Sequence, residues 1–545
     1  MEIIRKSAFY LVFLFVCFLG LWVKKAEALP SLWTSDQFQI NPDVTWNQNY
    51  PSIACSNRES KCLIVWRDKR NDPGGENDGA NDSRFYGANS NADIYGQFVS
   101  SAGSFGDFII ATDISSPKVD QAMPEAVYNS VRNEFLVVWH EADPAATSPN
   151  NNDFCVQGGY NIYGRRVSPL KELLGEKIVI SEAADCQWKP RIAYDKDKDM
   201  YLVVWHDFRH RATNQADSLG KEIYGQFIKG DGTVLGGNYL FSRDTADETK
   251  RAARYQEYAS VAYDSDRKKF LIVWMDDRET TVSGFSHDIW GILVSFDGSI
   301  FGWGKNFPVY RGSGKSENPE ISYDLKNKEY VLVWSEFLSN GTKVPKMIRL
   351  SPEGSVIGGA LDIDSAINHP AFPAVGINPD NGERLIGYEH GNTAFVGFLQ
   401  TAAITAKSVF SPWTYARPPI AYNNTGSEFF SVYSGASGGF ARLYFRRIKI
   451  GDVPVTGSPT GTATPSPGSP TNTPAAGACS CPAGKPAKNK GNTNCDDKID
   501  GVEFEIWREE FLGSRTTQSA DFNHDSKVDG IDFEIWRSNS NNVVY

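Results

Sequence analysis

The chain has 545 residues, which is enough for several domains, and its formal net charge is −11. No run of Lys or Arg accompanies this acidity, so the composition argues against a nucleic-acid partner and is compatible with calcium. Aromatic residues are frequent, with 14 Trp, 23 Tyr and 32 Phe, whereas Met and Cys are few. This composition is typical of a β-rich extracellular protein.

The first 28 residues resemble a secretory signal. The basic pair Arg5-Lys6 precedes an apolar run at 8–23 and the sequence Ala26-Glu27-Ala28. This order predicts cleavage after Ala28. Lys24 and Lys25 leave an uncleaved N-terminal anchor as the alternative. No other segment has transmembrane length, so we expect a secreted chain with no integral membrane span after signal removal.

One pattern recurs between residues 36 and 450. In one copy, strand-like runs at 190–195, 201–207, 222–228 and 239–242 are separated by turns and by one loop of variable length. The second run of each copy ends on a marker aromatic: Trp66, Trp139, Trp205, Trp274, Trp334, Tyr388 or Tyr433. Four short strands per unit predict the blades of a β-propeller, and seven units are present.

The seventh unit, at 419–450, contains three strand-like runs and no fourth. The segment 37–40 resembles a fourth strand and lies just before the first unit. Its pairing with the seventh unit would close the ring and remove exposed sheet edges. We therefore predict an all-β, seven-bladed β-propeller over residues 29–450, closed by an N-terminal strand.

The repeats resemble a family of bacterial secreted propellers with the blade pattern FLVVW-x-D-x-R followed by D-I-Y-G. Residues 201–209 (YLVVWHDFR) and 222–225 (EIYG) carry this pattern with Tyr in place of Phe and Glu in place of Asp. The resemblance implies the fold. Because the family has no defined activity, it says little about the ligand.

Long loops rich in Asn, Asp and Gly follow the second strands of the first three units, at 67–92, 141–160 and 206–221. In a four-stranded blade these loops emerge on the same side as the connections between blades. We call this side the loop face, and we expect it to bind a glycan or protein, because binding residues favour loops on a rigid scaffold.

An acidic residue stands two places after five marker Trp residues: Asp68, Glu141, Asp207, Asp276 and Glu336. One interpretation is a carboxylate ring that binds cations or sugars, or that hydrolyses glycosidic bonds. We favour an architectural role, in which Asp–Arg pairs and hydrogen bonds to the D-I-Y-G strand tie blades together. Catalysis needs an asymmetric acid and base, so we name no catalytic residue.

His140, His206 and His210 suggest either a metal site or hydrogen-bonded surface residues, and we favour the latter because no HExxH pairing exists. Four cysteines are candidates for two disulfides: Cys55 with Cys62, and Cys155 with Cys186. The pairing of Cys479, Cys481 and Cys495 stays open.

Residues 451–490 are rich in Pro, Thr, Ser and Gly and predict an extended linker. Two acidic segments follow, each with side-chain oxygens at positions 1, 3, 5, 9 and 12 and each continuing into Phe-Glu-Ile-Trp-Arg. This is the ligand spacing of an EF-hand loop. The tandem resembles a dockerin, a calcium-dependent module that attaches secreted bacterial proteins to cohesin-bearing scaffolds or cell surfaces.

The resemblance implies a small α-helical domain at 491–545 that holds two calcium ions. The first ion would take Asn492, Asn494, Asp496, Asp500 and Glu503, with the backbone carbonyl of Lys498. The second would take Asp521, Asn523, Asp525, Asp529 and Asp532, with the backbone carbonyl of Lys527. Both loops depart from the pattern at position 6, where Asp497 and Ser526 replace Gly. The alternative is an acidic, solvated surface without metal.

Together these observations predict a secreted, non-catalytic propeller that binds a glycan or protein. A cohesin-like protein or cell-surface scaffold would hold it through the dockerin-like module. The alternative is a polysaccharide-degrading glycoside hydrolase, because dockerins usually accompany such enzymes.

Overall fold

The computed structural model describes residues 32–451 apart from 36–37, 41–46, 72–91, 102, 113–118, 144–158, 211–220, 244–254, 280–286, 297–300, 313, 365–369, 391–392, 401–402, 412–417 and 438–439. The chain divides into two compact units, Met1–Val455 and Thr456–Tyr545, and every described residue lies in the first. Within these ranges we find no helix with the length and apolar character needed to cross a bilayer. The apolar run at 8–23 lies outside the described residues.

The described strands form seven antiparallel sheets, in each of which the first strand pairs with the second and the second with the third. Sheet 1 contains Gln48–Cys55, Cys62–Asp68, Asp93–Ser100 and Gly103–Ala111. Sheet 2 contains Gln121–Asn129, Glu134–Ala142, Tyr160–Val167 and Leu173–Ser181. Sheet 3 contains Gln187–Asp195, Met200–Asp207, Glu222–Lys229 and Val234–Leu240. Sheet 4 contains Gln256–Asp264, Lys269–Asp276 and Asp288–Phe296, with Phe301–Trp303 and Phe307–Tyr310 sharing the fourth position.

The remaining sheets follow the same order. Sheet 5 contains Lys315–Asp324, Glu329–Phe337, Lys343–Leu350 and Val356–Asp362. Sheet 6 contains Pro370–Ile377, Arg384–His390, Thr393–Gln400 and Ala403–Ser411. Sheet 7 contains Ile420–Asn423, Glu428–Ser437 and Phe440–Ile450, and its outer edge is supplied by Leu32–Thr34 and Phe38–Gln39.

The first strands of consecutive sheets contact one another, and the first strand of sheet 7 contacts that of sheet 1. The first strands therefore surround a common axis, with the later strands of each sheet further out. This is the arrangement of an all-β propeller. It places the loops after the second strands and the connections between sheets on the same side, the loop face.

The N-terminal segment pairs with sheet 7, as the sequence predicts. Phe38 lies opposite Phe445, and the two rings stack with their centroids 5.1 Å apart. The Ile40 backbone N–H donates to the carbonyl of Leu443 at 2.8 Å. The sequence did not predict the preceding strand, Leu32–Thr34, which pairs with the end of the same neighbour. The first and last described strands thus share one sheet.

The second strands form the most buried layer of each sheet. The five marker Trp side chains and their counterparts Tyr388 and Tyr433 are fully buried. Both faces of these strands are covered by neighbouring sheets, which explains why their sequences are continuous apolar runs rather than alternating ones. Two fourth strands, Leu173–Ser181 and Val356–Asp362, have mostly exposed or intermediate patterns.

Cys55 and Cys62 lie directly opposite each other in sheet 1 and form a disulfide, at the position that the sequence suggested. Cys186 is buried and disulfide-bonded. Its predicted partner, Cys155, lies outside the described residues, as do Cys479, Cys481 and Cys495.

Candidate functional site

The five repeated carboxylates are buried inside their own sheets. Asp68, Glu141, Asp207, Asp276 and Glu336 are at most 4% exposed. Each accepts a hydrogen bond from the indole Nε1–H of the Trp two residues earlier, at distances between 2.7 and 3.1 Å. Residues two apart share one face of a strand, which is why this contact recurs.

In four sheets a cation binds the carboxylate of this Trp–carboxylate pair. The guanidinium groups of Arg70, Arg209 and Arg278 donate to the carboxylates of Asp68, Asp207 and Asp276 at 2.7, 2.6 and 2.6 Å. Their guanidinium carbons also lie 3.9, 4.0 and 4.2 Å from the ring centroids of Tyr95, Tyr224 and Trp290, the aromatics of the D-I-Y-G strands. In sheet 2, Lys177 replaces the Arg, with Nζ 2.8 Å from Glu141 and 4.1 Å from the Tyr163 ring centroid.

These contacts favour the architectural interpretation and change its details. The carboxylates bind the indole of their own strand, and the Arg stacks on the third strand of the same sheet. Contacts to the preceding sheet are fewer: Arg209 approaches Ser181 of sheet 2 at 3.4 Å, and Arg278 donates to the carbonyl of Arg243 at 3.0 Å. The unit mainly joins strands within a sheet rather than one blade to the next.

His140 and His206 are buried, so the expectation that they lie on the surface is wrong. Because both faces of a second strand are covered, the residue after the marker Trp points into the next sheet. There the Nδ1 of His140 accepts the backbone N–H of Lys189, and that of His206 accepts the backbone N–H of Tyr258, each at 3.4 Å. Burial lowers the pKa of His140 to about 3 and the pKa of His206 well below its usual value. Both imidazoles are therefore neutral acceptors that link neighbouring sheets.

His210 is partly exposed, and its Nδ1 lies 3.6 Å from the Glu222 carboxylate. In the part of the chain that the structure describes, no group of three His, Cys, Asp or Glu side chains is arranged to hold a metal ion. All twelve predicted calcium ligands lie outside the described residues.

Six non-glycine residues with left-handed backbone, which we call the inner ring, were not predicted from the sequence. Sheets 1 to 6 each place one non-glycine residue in the left-handed region, at φ between 51° and 54° in five cases and 55° in the sixth: Tyr50, Met123, Lys189, Tyr258, Asn318 and Phe372. Five are the third residue of an innermost strand and Asn318 is the fourth, and each lies within a register shift against the second strand.

Left-handed backbone costs about 1–2 kcal/mol at a non-glycine residue, because Cβ crowds the carbonyl oxygen. Bulges at such positions re-aim a side chain and recur next to binding sites. The six side chains are partly exposed, whereas the residue after each is buried. Because the first strands are innermost, these partly exposed residues lie in the central part of the propeller. The sequence contains a mark of these positions: in five of the six sheets the left-handed residue is followed by Pro, as in Tyr50-Pro51.

Aromatic and cationic groups gather around the inner ring in sheets 2 to 4. The Lys189 ammonium lies 3.9 Å from the ring centroid of Tyr258. The Trp188 ring contacts the rings of Tyr160, His206 and Phe208, with centroids 5.9 or 6.0 Å apart. The rings of Tyr160, His206 and Phe208 are buried, whereas Trp188, Lys189 and Tyr258 are partly exposed. Partly exposed aromatic side chains beside one cation are common in ligand sites.

Asp288 is a further carboxyl group that the carboxylate pattern did not select. It begins the third strand of sheet 4, opposite Asp276, at the loop-face end. Burial, the largest influence, raises its pKa to about 6. Attraction by Arg311 opposes this shift, and repulsion by Glu279, Asp276 and Glu336 adds to it. A carboxyl group that stays partly protonated near neutral pH has the property required of a general acid.

No family model matches the chain, and no curated protein matches it. Among solved structures, it is similar to a protein of unknown function from Dyadobacter fermentans, with 11% identity and a TM-score of 0.45 over 77% of this chain and 99% of the other. It is also similar to hydrazine synthase from Kuenenia stuttgartiensis, with 11% identity and a TM-score of 0.42 over 72% and 95%. An α-L-arabinanase from Penicillium chrysogenum, complexed with arabinobiose, matches with 11% identity and a TM-score of 0.42 over 76% and 98%. Similarities this remote carry no argument about activity, and the propeller fold rests on the strand order of this chain.

Proposed function

We propose that this chain is a secreted, non-catalytic, seven-bladed β-propeller that binds a glycan or protein on its loop face. Seven sheets, each packed against the next, support the blade count. The pairing of Phe38–Gln39 with Phe440–Ile450 supports closure by an N-terminal strand.

The inner ring is the observation that carries the binding function. The same strained backbone conformation occurs in six sheets, but the side chain differs from sheet to sheet. The backbone geometry is therefore constant while the chemical groups it presents vary. A position that served stability alone would favour glycine, which adopts this conformation without the steric cost. Aromatic, thioether, amide and ammonium groups instead stand around one axis, as in a site that recognises a ligand.

The repeated carboxylates do not supply a catalytic pair in this proposal. Each is occupied by an indole N–H, and three also bind an Arg. Such uniform environments give no asymmetry between an acid and a base.

The tail gives the protein its location in this proposal. Two calcium ions would order the dockerin-like module at 491–545, which would bind a cohesin-like protein or a cell-surface scaffold. The doubled ligand spacing in the sequence supports this assignment. A small module buries little apolar surface, so calcium would contribute to its folding.

Glycoside hydrolysis is the second candidate, and Asp288 is the observation that favours it. Its raised pKa suits a proton donor to a leaving group, with a second carboxylate acting as base or nucleophile. The described carboxylate closest in register, Asp276, is already bound to Trp274 and Arg278. Binding is therefore the preferred function.

Binding and hydrolysis can be separated with the full-length chain in calcium. A glycan array reports binding, and a reducing-end assay on the same glycans reports hydrolysis. We expect at least one ligand and no hydrolysis, with the same result for Asp288→Asn. Glu176→Gln, at an exposed carboxylate in sheet 2, is the control. Hydrolysis that Asp288→Asn abolishes and Glu176→Gln preserves would establish the enzyme instead.

A further inference from the structure

We propose that Lys189 binds the carboxylate of an acidic glycan, one that contains uronic acid residues, at the inner ring. This inference rests on the proposed binding function and specifies its ligand class.

The backbone fixes where the Lys189 side chain starts. Its φ of 52° is left-handed, its N–H donates to His140 of sheet 2, and the following Pro190 is buried. The side chain is partly exposed, and its ammonium lies over the Tyr258 ring of sheet 4. Lys189, on an innermost strand, thus contacts the sheets on both sides of its own through its backbone N–H and a cation–π contact.

The Lys189 ammonium makes no salt bridge or hydrogen bond to a described residue. Glu257 attracts it from a distance, but that carboxylate pairs with Lys221. The other cations nearby are already neutralised. Arg191 pairs with Glu125 of sheet 2 at 2.6 Å, and Lys221 pairs with Glu257 of sheet 4. Burying a charged group without a counterion costs free energy unless a group of opposite charge pairs with it. A ligand carboxylate is such a partner.

Proton affinity supports this assignment. Burial lowers the pKa of Lys189 to about 8, attraction by Glu257 opposes that shift, and repulsion by Arg191 and Lys221 adds to it. Two cations face the ammonium: Arg191 on its own strand and Lys221 before the third strand of sheet 3. Sheet 4 contributes Glu257 and Tyr258. The neutral imidazoles of His140 and His206 complete the set of titratable groups around it. At pH 7 about nine-tenths of the amine is protonated, and the charge is lost as the pH rises through about 8.

The neighbouring rings favour a sugar as the bearer of that carboxylate. Tyr258 lies beside the ammonium and Trp188 lies nearby, and both side chains are partly exposed. The buried His206 ring packs between them, with its centroid 5.8 Å from that of Tyr258 and 5.9 Å from that of Trp188. Aromatic faces next to one cation match a uronic acid, whose ring has apolar C–H faces and carries one carboxylate.

Titration calorimetry of the full-length chain tests the inference with three probes: oligogalacturonate, the same oligomer with its carboxyls methyl-esterified, and polyglutamate. We expect the wild-type chain to prefer oligogalacturonate and to lose more than tenfold in affinity between pH 7 and pH 9.5. Lys189→Met should lose at least tenfold at pH 7. Lys189→Arg, which stays charged, should bind equally at both pH values. Lys198→Met, at an exposed turn lysine of sheet 3, should match the wild type.

The wild-type pH comparison needs no variant, and circular dichroism shows whether the variants fold. Equal affinity for the charged and esterified oligomers, or affinity that does not change with pH, would overturn the inference. Preference for polyglutamate would assign the site to an acidic peptide and overturn it too. If Lys189→Met binds a glycan as well as the wild type does, only this inference fails. If no glycan or protein binds the wild type, the proposed function fails with it.

Discussion

Replacing Asp207 with Ala tests whether the repeated carboxylates are structural. The Asp207 side chain is fully buried and accepts hydrogen bonds from Trp205 Nε1 at 2.8 Å, from the Arg209 backbone N–H at 2.9 Å, and from the Arg209 guanidinium at 2.6 and 2.8 Å. Its removal leaves a buried indole N–H without an acceptor, at a cost of about 1–3 kcal/mol. It also leaves Arg209, whose side chain is 19% exposed, without its carboxylate. Removing one partner of a buried ion pair costs about 3–5 kcal/mol, and the two costs overlap.

We therefore expect Asp207→Ala to lower the free energy of unfolding by about 3–5 kcal/mol, and Asp207→Asn by less, because an amide oxygen still accepts the indole N–H. Urea unfolding followed by Trp fluorescence measures the change. The matched control is Glu176→Ala, whose carboxylate is exposed, and it should leave the unfolding midpoint unchanged. A destabilisation below about 1 kcal/mol for Asp207→Ala would refute the structural role.

The remaining predictions concern the sheet contacts, the closing strand and the tail. His140 has a folded pKa of about 3, below the unfolded value of about 6.5, so its contribution is complete above pH 6.5 and decreases as the pH falls towards 3. Between pH 7.5 and 5, wild-type unfolding free energy should fall by about 2 kcal/mol more than that of His140→Gln, and equal losses would contradict the neutral imidazole. Ile40→Ala should cost about 2–5 kcal/mol in urea unfolding, because Ile40 is buried against the last sheet, whereas Val131→Ala at an exposed turn should cost little. Replacing Asp496 and Asp525 with Ala should weaken calcium binding in titration calorimetry, and unchanged uptake would remove the calcium assignment.

The sequence predicted the strands because a propeller buries the same positions in every repeat. Trp205 and Asp207 recur at a spacing that puts them on one face, and their mutual hydrogen bond follows from that spacing. The pairing of Phe38 was predictable for a different reason. The seventh repeat had only three strand-like runs, and the segment 37–40 resembled a fourth strand but belonged to no repeat. The extra strand at Leu32–Thr34 has no repeat to mark it and was not predicted.

Residues whose roles depend on neighbouring sheets were harder to predict. His206 was expected on the surface because it lies at a strand end, but the next sheet covers it and its Nδ1 accepts the Tyr258 N–H. The position of Lys189 depends on a bulge in its strand, and no local propensity predicts left-handed backbone at a lysine. Asp288 gained a raised pKa through burial between sheets, a property that spacing along the chain does not encode.

The most direct test of the central claim is calorimetry of the full-length chain with glycans, followed by analysis of the same glycans for new reducing ends. We expect at least one acidic glycan to bind at the inner ring, to bind Lys189→Met more weakly, and to be recovered intact. Cleavage of that glycan by the wild-type chain, lost when Asp288 is replaced by Asn, would contradict it.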